Sequence, residues 1–259
     1  MVVHYLGNVM KKILALLTLM TSLTATFAAD ERCFEMRVYY AAPGKLDALH
    51  ARFRDHTCKL FEKHGMTNLG YFVPLDNPES KLIYFLAYPN REARDKSWKE
   101  FMADPDWVKA YKASEVDGKL VAKVDAPLLS ATDYSPRAKA ENVGNRVFEL
   151  RTYTTEPGRL DALNARFRDH TVKLFAKHGM VNIAYWTPMK GQKGADDTLL
   201  YIIAHKSTDA AKASFDAFRQ DPAWTAAHKA SEEKAGGSLT AKDGVKSVFM
   251  KATDYSAVK

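Results

Sequence analysis

The chain contains one sequence module twice, and this duplication constrains its fold more than any other feature. The segment FEMRVY at 34–39 recurs as FELRTY at 148–153, and RFRDHT at 52–57 recurs unchanged at 166–171. The closing segment ATDYS at 131–135 also recurs, at 252–256. We therefore predict four parts along the chain: a signal peptide at 1–29, a first module at 33–136, a linker at 137–146 and a second module at 147–257.

Each module has the residue pattern of strand, helix, strand, strand, helix, strand. The segment 34–40 alternates as a strand does, and the Pro-Gly turn at 43–44 leads into a helix with apolar residues at three- and four-residue spacing. This order is typical of the ferredoxin-like arrangement, an α+β fold. A four-stranded sheet with helices on one face leaves its other face bare, so we expect the two linked modules to cover each other.

Several of these segments resemble the NIPSNAP family. The resemblance rests on the aromatic-Glu-Leu-Arg-x-Tyr strand, the Pro-Gly-Lys/Arg-Leu turn, Lys-His-Gly before the second strand and Asp-Pro-x-Trp, which both modules carry, with Met36 in place of the leucine in the first. It implies an intramolecular dimeric α/β barrel in which the two sheets face one another. The resemblance implies no shared reaction, and we expect no cofactor.

The N-terminal segment has the order of a secretory signal peptide. A basic pair, Lys11-Lys12, precedes the apolar run 13–20 and the small-residue stretch 22–29. The alternative is a membrane anchor, but the apolar run is shorter than the roughly 20 residues that span a bilayer. We predict cleavage after Ala28 or Ala29, a periplasmic or secreted protein and no stable membrane anchor.

The net charge of +7 is spread over interleaved acidic and basic residues, so no nucleic-acid partner is indicated. The sequence contains no His-His zinc signature, no Gly-rich phosphate loop and no Gly-x-Ser-x-Gly elbow. We therefore predict no metal site.

The first strand of each module carries the candidate ligand-binding residues. Because side chains alternate along a strand, Phe34, Met36 and Val38 are expected to pack against the helices, and Glu35, Arg37 and Tyr39 to line the barrel interior. In the functional interpretation the interior binds a ligand through Arg37, Tyr39, Arg151 and Tyr153, with aromatic walls from Tyr71, Tyr185 and Trp186. In the structural interpretation, Glu35 and Glu149 pair with the arginines and hold the two sheets together.

Histidines and cysteines supply the remaining candidates. His56 and His170 are weak candidates for a general base, because a histidine at the edge of a core is usually satisfied by backbone or water. Cys33 and Cys58 correspond to Val147 and Val172 in the second module. This double replacement predicts either a disulfide in one copy or two independent buried thiols.

The leading functional hypothesis is a binding module that holds a small, partly aromatic or acidic ligand between its two sheets, without established catalysis. One alternative is a cofactor-independent oxygenase or isomerase, which requires His56 or His170 to reach the interior. Another is an interaction or scaffold protein of the cell envelope. The intramolecular pseudo-dimer is the predicted assembly, and the sequence makes no prediction about larger oligomers.

Overall fold

The computed structural model describes residues 30–259. The predicted signal peptide lies outside this range. The elements of the first module are β1 (Cys33–Ala41), α1 (Leu46–Arg52), a π-helical turn (Phe53–Thr57), α2 (Cys58–Lys63), β2 (Thr67–Pro74), β3 (Lys81–Tyr88), α3 (Arg91–Ala103), α4 (Pro105–Ser114), β4 (Val121–Asp125) and β5 (Leu128–Ala131). Those of the second module are β6 (Val147–Thr155), α5 (Leu160–Arg166), a π-helical turn (Phe167–Thr171), α6 (Val172–Lys177), β7 (Val181–Pro188), β8 (Thr198–His205), α7 (Thr208–Gln220), α8 (Pro222–Ala235) and β9 (Thr240–Ala252).

Antiparallel pairing joins the strands of both modules into one closed barrel. The strand order within the first module is β5-β1-β3-β2, and within the second it is β9-β6-β8-β7. The short strand β4 pairs with the end of β1 that β5 does not cover. The two seams between the modules are β5 with β7 and β2 with β9. Eight strands therefore close the barrel, and the predicted α+β barrel architecture is confirmed.

The barrel interior is apolar, which reverses the predicted orientation of the first strand. Phe34 and Val38 lie in a buried cluster with Phe72, Phe85 and Trp186, and the ring of Trp186 stacks on that of Phe85 with centroids 5.2 Å apart. The expectation that these first-strand apolar residues face the helices is wrong. The reason is that two facing sheets exclude water from the space between them, where a charged side chain would be costly.

The opposite face of each sheet packs against the helices. In the first module Tyr39, Tyr71 and Tyr84 join Phe53 and Phe61 in one helix-side cluster. The second module repeats this cluster with the equivalent aromatic residues, Tyr153, Tyr185, Tyr201, Phe167 and Phe175. The tyrosines predicted to line the interior therefore lie on the outer face of the barrel wall, beneath the helices.

The repeated ATDYS segments form arms that reach from each module onto the other. Tyr134 packs on Tyr185 of the second module, and the Ser135 hydroxyl accepts a hydrogen bond from the Tyr185 backbone N–H at 2.9 Å. In return, Tyr255 packs on Tyr71 of the first module. Each module thus supplies an aromatic side chain to the helix-side core of its neighbour.

The linker packs against one end of the barrel. Ala138 is buried in the interior cluster and Val143 packs against that cluster, next to Val258 near the C-terminus. The longest helix in residues 30–259 is α8, with 14 residues, and none of the helices in this range has the length and hydropathy of a membrane span.

Candidate functional site

At the linker end of the barrel, apolar side chains fill most of the space between the two sheets. A cavity of about 20 Å³ lies near the barrel end covered by the linker, against Phe72, Phe85 and Trp186. A cavity needs roughly 10–15 Å³ to hold one water molecule, so this one is far too small for an organic ligand. The predicted ligand, between the facing sheets, therefore has no room at this end of the barrel.

A larger pocket of about 370 Å³ lies on the other side of the wall, between the sheet and the helices of the first module. We call it the module-1 pocket. Two of the predicted ligand-binding residues, Arg37 and Tyr39, belong to it. The other lining residues are Arg52, Phe53, Thr57, Phe61, Trp98, Phe101, Met102, Trp107, Tyr111, Glu115, Lys119, Val121 and Val124. The predicted residues Tyr71, Tyr185, Trp186, Arg151 and Tyr153 are not among them.

Glu35 is the electrostatic centre beside this pocket. Its fully buried carboxylate accepts hydrogen bonds from Arg37 Nη1 at 2.6 Å and Arg94 Nη2 at 2.7 Å, and from Trp98 Nε1 and the Tyr88 hydroxyl at 2.9 Å. Burial opposes ionisation, but the bond from Arg94 and the charge of Arg37 outweigh it and lower the pKa of the Glu35 carboxyl. The Glu-Arg pairing ties β1 to α3, instead of joining the two sheets.

Three buried polar atoms of this region have no hydrogen-bond partner among residues 30–259: Arg37 Nε, Arg52 Nε and the Tyr84 hydroxyl. The Arg37 guanidinium lies over the Trp98 ring at 4.2 Å, and the Arg52 guanidinium lies 5.4 Å from the Trp107 ring. Buried donors are normally satisfied by protein or water. Two incompletely satisfied guanidinium groups therefore lie beside an aromatic pocket.

A π-helical turn positions Arg52. The turn follows directly after this residue, and the Thr57 hydroxyl donates to the Arg52 carbonyl at 3.1 Å. Such turns widen a helix locally and occur often at functional sites. Arg52 is not among the binding residues predicted from the sequence, although a cation directly before Phe53 on an apolar helix face is a signal for a buried charged group.

The second module repeats the unpartnered atoms but changes their surroundings. Within the described chain, Arg151 Nε, Arg166 Nε and the Tyr201 hydroxyl also find no partner. Glu149 is buried and accepts from Arg151 Nη1 at 2.6 Å and from the Ser247 hydroxyl at 2.6 Å. The polar framework is thus a property of the module.

Two other changes distinguish the second module. His205 Nε2 lies 2.9 Å from Glu149 Oε2, so a histidine stands where the first module has Tyr88. Phe215 occupies the position of Trp98 in the sequence alignment, and its ring lies 4.7 Å from the Arg151 guanidinium. The aromatic walls therefore differ between the two modules.

The candidate general bases do not reach either enclosed space. His56 and His170 are exposed on the outer surface of the π-helical turns. His170 lines only an outer groove of the second module, which is described below. The condition set by the enzyme alternative, that one of them reaches the interior, is not met, because the inward side of each turn is taken by Phe53 or Phe167.

The two cysteines are separate thiols in the described chain. Cys33 Sγ lies 3.7 Å from Met189 Sδ, whereas Cys58 is the first residue of α2 and lies beside Tyr71. The structure thus corresponds to the second alternative, independent thiols. No group of three or more His, Cys, Asp and Glu side chains within residues 30–259 is arranged to hold a metal ion.

Solved structures similar to this chain share its barrel fold. A candidate monooxygenase from Lactobacillus acidophilus NCFM is 12% identical, with 86% of this chain and 94% of that chain covered and a TM-score of 0.54. An anthrone oxidase-like protein is 14% identical, with 88% and 94% covered and a TM-score of 0.55. At these identities the likeness concerns the fold alone.

The family comparison covers both modules. The NIPSNAP family model matches residues 34–136 and again 148–256. Comparison with curated proteins finds no match. The two matched segments coincide with the repeated elements of the barrel and together include most of the chain, which therefore belongs to the NIPSNAP family.

Proposed function

We propose that this protein binds a small anionic molecule with an aromatic body in the module-1 pocket. The observation that carries the proposal is the pair of unpartnered arginine donors, Arg37 Nε and Arg52 Nε, at a pocket walled by aromatic rings. A volume of about 370 Å³ lies within the usual range of ligand sites, roughly 300–1,000 Å³.

The charges of the pocket favour an anion. Arg37, Arg52 and Lys119 line it, against the single carboxylate of Glu115. Glu35 lies outside the lining and is compensated by Arg94 as well as Arg37. Guanidinium groups present planar donors that suit a carboxylate, so the anionic end of the ligand is expected between the two arginines.

The walls favour a flat apolar body. Trp98, Phe101, Trp107 and Tyr111 offer ring faces and edges, which pack on aromatic groups in offset or edge-on geometry. The side chains of Met102, Tyr111 and Val124 are exposed as well as lining the pocket, so they form its mouth. A ligand that enters there would cover apolar surface that now meets solvent.

Calorimetric titration with 1-naphthoate and with uncharged 1-naphthylmethanol tests the proposal. We expect the acid to bind and the alcohol to bind at least tenfold more weakly. Val124→Trp should fill the mouth and abolish binding. Val245→Trp is the matched control. Val245 pairs with Tyr153 across neighbouring strands, as Val124 pairs with Tyr39 in the first module, and both valines are about 40% exposed.

A second pair of variants separates binding from stability. Arg37→Gln and Arg151→Gln each remove an arginine that pairs with a buried glutamate, but only Arg37 lines the pocket. Weaker binding of 1-naphthoate in the first variant alone supports the proposal. The proposal is contradicted if the two arginine variants bind 1-naphthoate equally well. It is also contradicted if the Val124→Trp protein binds 1-naphthoate as well as the unmodified protein does.

The enzyme alternative has less support. A cofactor-independent oxygenase or isomerase was expected to use His56 or His170 as its base, and both are exposed away from the pocket. The monooxygenase-like relatives share the barrel but differ in nearly nine of ten residues. We therefore propose binding and assign no reaction.

Export is part of the same proposal. The residue order at 1–29 supports removal of a leader, followed by function in the periplasm or outside the cell. Intact-mass analysis of protein recovered from a periplasmic extract should give an N-terminus at Ala29 or Asp30. Recovery of the full-length chain from the cytoplasm alone would contradict export.

A further inference from the structure

The second module carries another concave feature, on the outer surface. A groove of about 350 Å³ lies between α8 and the helix formed by α5 and its π-helical turn. Its walls are small side chains, Ala162, Ala165, Ala227, Ala230 and Ala235, and its polar lining residues are Arg166, Asp169, His170, Ser231 and Lys234. We call it the α5/α8 groove. It shares no residue with the module-1 pocket.

Arg166 is the main polar group of this groove, and its charge is poorly compensated. The residue is only 5% exposed, and its Nε finds no acceptor in the described part of the chain. Its Nη1 lies 3.9 Å from Glu232, whereas the equivalent Arg52 approaches Glu115 to 3.1 Å. Burial, only partly offset by Glu232, lowers the pKa of Arg166. Because the Arg166 side chain lines the groove, an anion bound there would offset its guanidinium charge.

The surrounding charges also distinguish this groove from the same place in the first module. Lys234 lines the α5/α8 groove, and the residue at its position in the first module is Asp117. Asp169 is the one carboxylate among the lining residues, and its counterpart Asp55 is also acidic. The replacement of Asp117 by Lys234 therefore makes the second-module groove more positive.

We propose that the α5/α8 groove binds an unbranched aliphatic carboxylate. The carboxylate lies against the Arg166 guanidinium with Lys234 nearby, and the alkyl chain lies between the alanine walls. Alanine side chains leave a narrow apolar slot between two helices. This favours a thin alkyl chain over an aromatic ring, the body expected in the module-1 pocket.

Calorimetric titration of the full chain with octanoate, decanoate and decylammonium tests this assignment. We expect both acids to bind, with affinity rising by roughly fourfold for each added methylene that is buried. Decylammonium has the same chain but the opposite charge, and it should show no saturable binding. No binding of decanoate, or equal binding of decylammonium, would overturn the proposal.

Two substitutions locate the binding. Ala230 is exposed, so Ala230→Phe should fill the groove without disturbing buried contacts and should abolish decanoate binding. Lys234→Asp should weaken it several-fold. Lys212→Asp makes the same charge change on α7, outside the groove, and should leave binding unchanged. An unaltered circular dichroism melting curve for Ala230→Phe would show that loss of binding is local.

The Val124→Trp protein distinguishes this inference from the proposed function. Decanoate should bind that variant as it binds the unmodified protein, because Val124 lies at the module-1 pocket. Binding that is lost in Val124→Trp and kept in Ala230→Phe would overturn the α5/α8 groove and leave the module-1 pocket supported. Binding lost only in Ala230→Phe supports the groove, whatever the outcome with 1-naphthoate.

Discussion

The buried carboxylate of Glu35 should be the most sensitive single position of the first module. Glu35→Gln keeps the side-chain shape but removes the charge shared by Arg37 and Arg94. The new amide group also presents a donor to three neighbours that cannot accept, Arg37, Arg94 and Trp98. Removal of one member of a buried ion pair costs about 3–5 kcal/mol, and we expect this range for the free energy of unfolding.

Glu149→Gln is the matched control in the second module, and we expect a smaller loss. Of the groups that bind Glu149, only Arg151 carries a permanent charge. His205 can donate as a neutral ring, and the Ser247 hydroxyl can rotate to accept from the new amide. The loss should therefore approach that of one hydrogen bond to a charged group, about 1.5–3 kcal/mol.

Urea unfolding of the three proteins, followed by circular dichroism, measures both losses. For a chain of this size each kilocalorie lowers the melting temperature by roughly 2–4 °C, so Glu35→Gln should melt about 6–20 °C below the unmodified protein. The error of such measurements is roughly 1 kcal/mol. If the unfolding free energy of Glu35→Gln lies within this margin of the unmodified protein, the reasoning is refuted. A larger loss in Glu149→Gln than in Glu35→Gln would also refute it.

Three further predictions concern pH, thiols and the barrel interior. Hydrogen bonds from Lys63 and His64 lower the pKa of Asp104, so Asp104→Asn should reduce stability at pH 7, and its difference from the unmodified protein should start to shrink as the pH falls below 3.8, the ordinary aspartate value, and go on shrinking towards the lower pKa of the folded state; a difference constant with pH in urea titrations would contradict this. Burial raises the pKa of Cys33 and of Cys58 to about 11, so both thiols of the folded protein should react slowly with dithiobisnitrobenzoate at pH 8. After denaturation without reductant, two thiols per chain should react, and a count below two would indicate a disulfide. Trp186→Ala should cost about 3–5 kcal/mol of unfolding free energy, and Trp186→Phe much less, since it keeps a ring and removes a buried, unpaired N–H; equal losses would contradict this packing.

The strand pattern predicted which first-strand side chains share a face, but not which face meets the helices. Alternation groups Glu35, Arg37 and Tyr39 together, and they do lie together. Their environment depends on partners far along the chain, above all Arg94 and Trp98 on α3. With those partners the charged face can be satisfied beneath the helices, and the apolar face is left for the closed interior.

The paired cysteine replacement shows a similar limit. Cys33, Cys58 and Val172 all lie in or against the helix-side cores, where a thiol and a small aliphatic side chain are interchangeable. Two positions in one core can therefore change in parallel without touching. The repeat itself was readable because it is written in the order of the residues, whereas the pocket depends on rings from α3 and α4 that meet only after folding.

The reciprocal ATDYS arms have a consequence for how the protein melts. In linear repeat arrays each unit has its own stability and contacts only its neighbours, so unfolding can proceed unit by unit. Here Tyr134 and Tyr255 complete the core of the opposite module, and both barrel seams join strands of different modules. Loss of one module would strip its partner of a core residue and open the sheet at two edges. We therefore expect a single transition in calorimetric melting, in which the two modules unfold together as one cooperative unit.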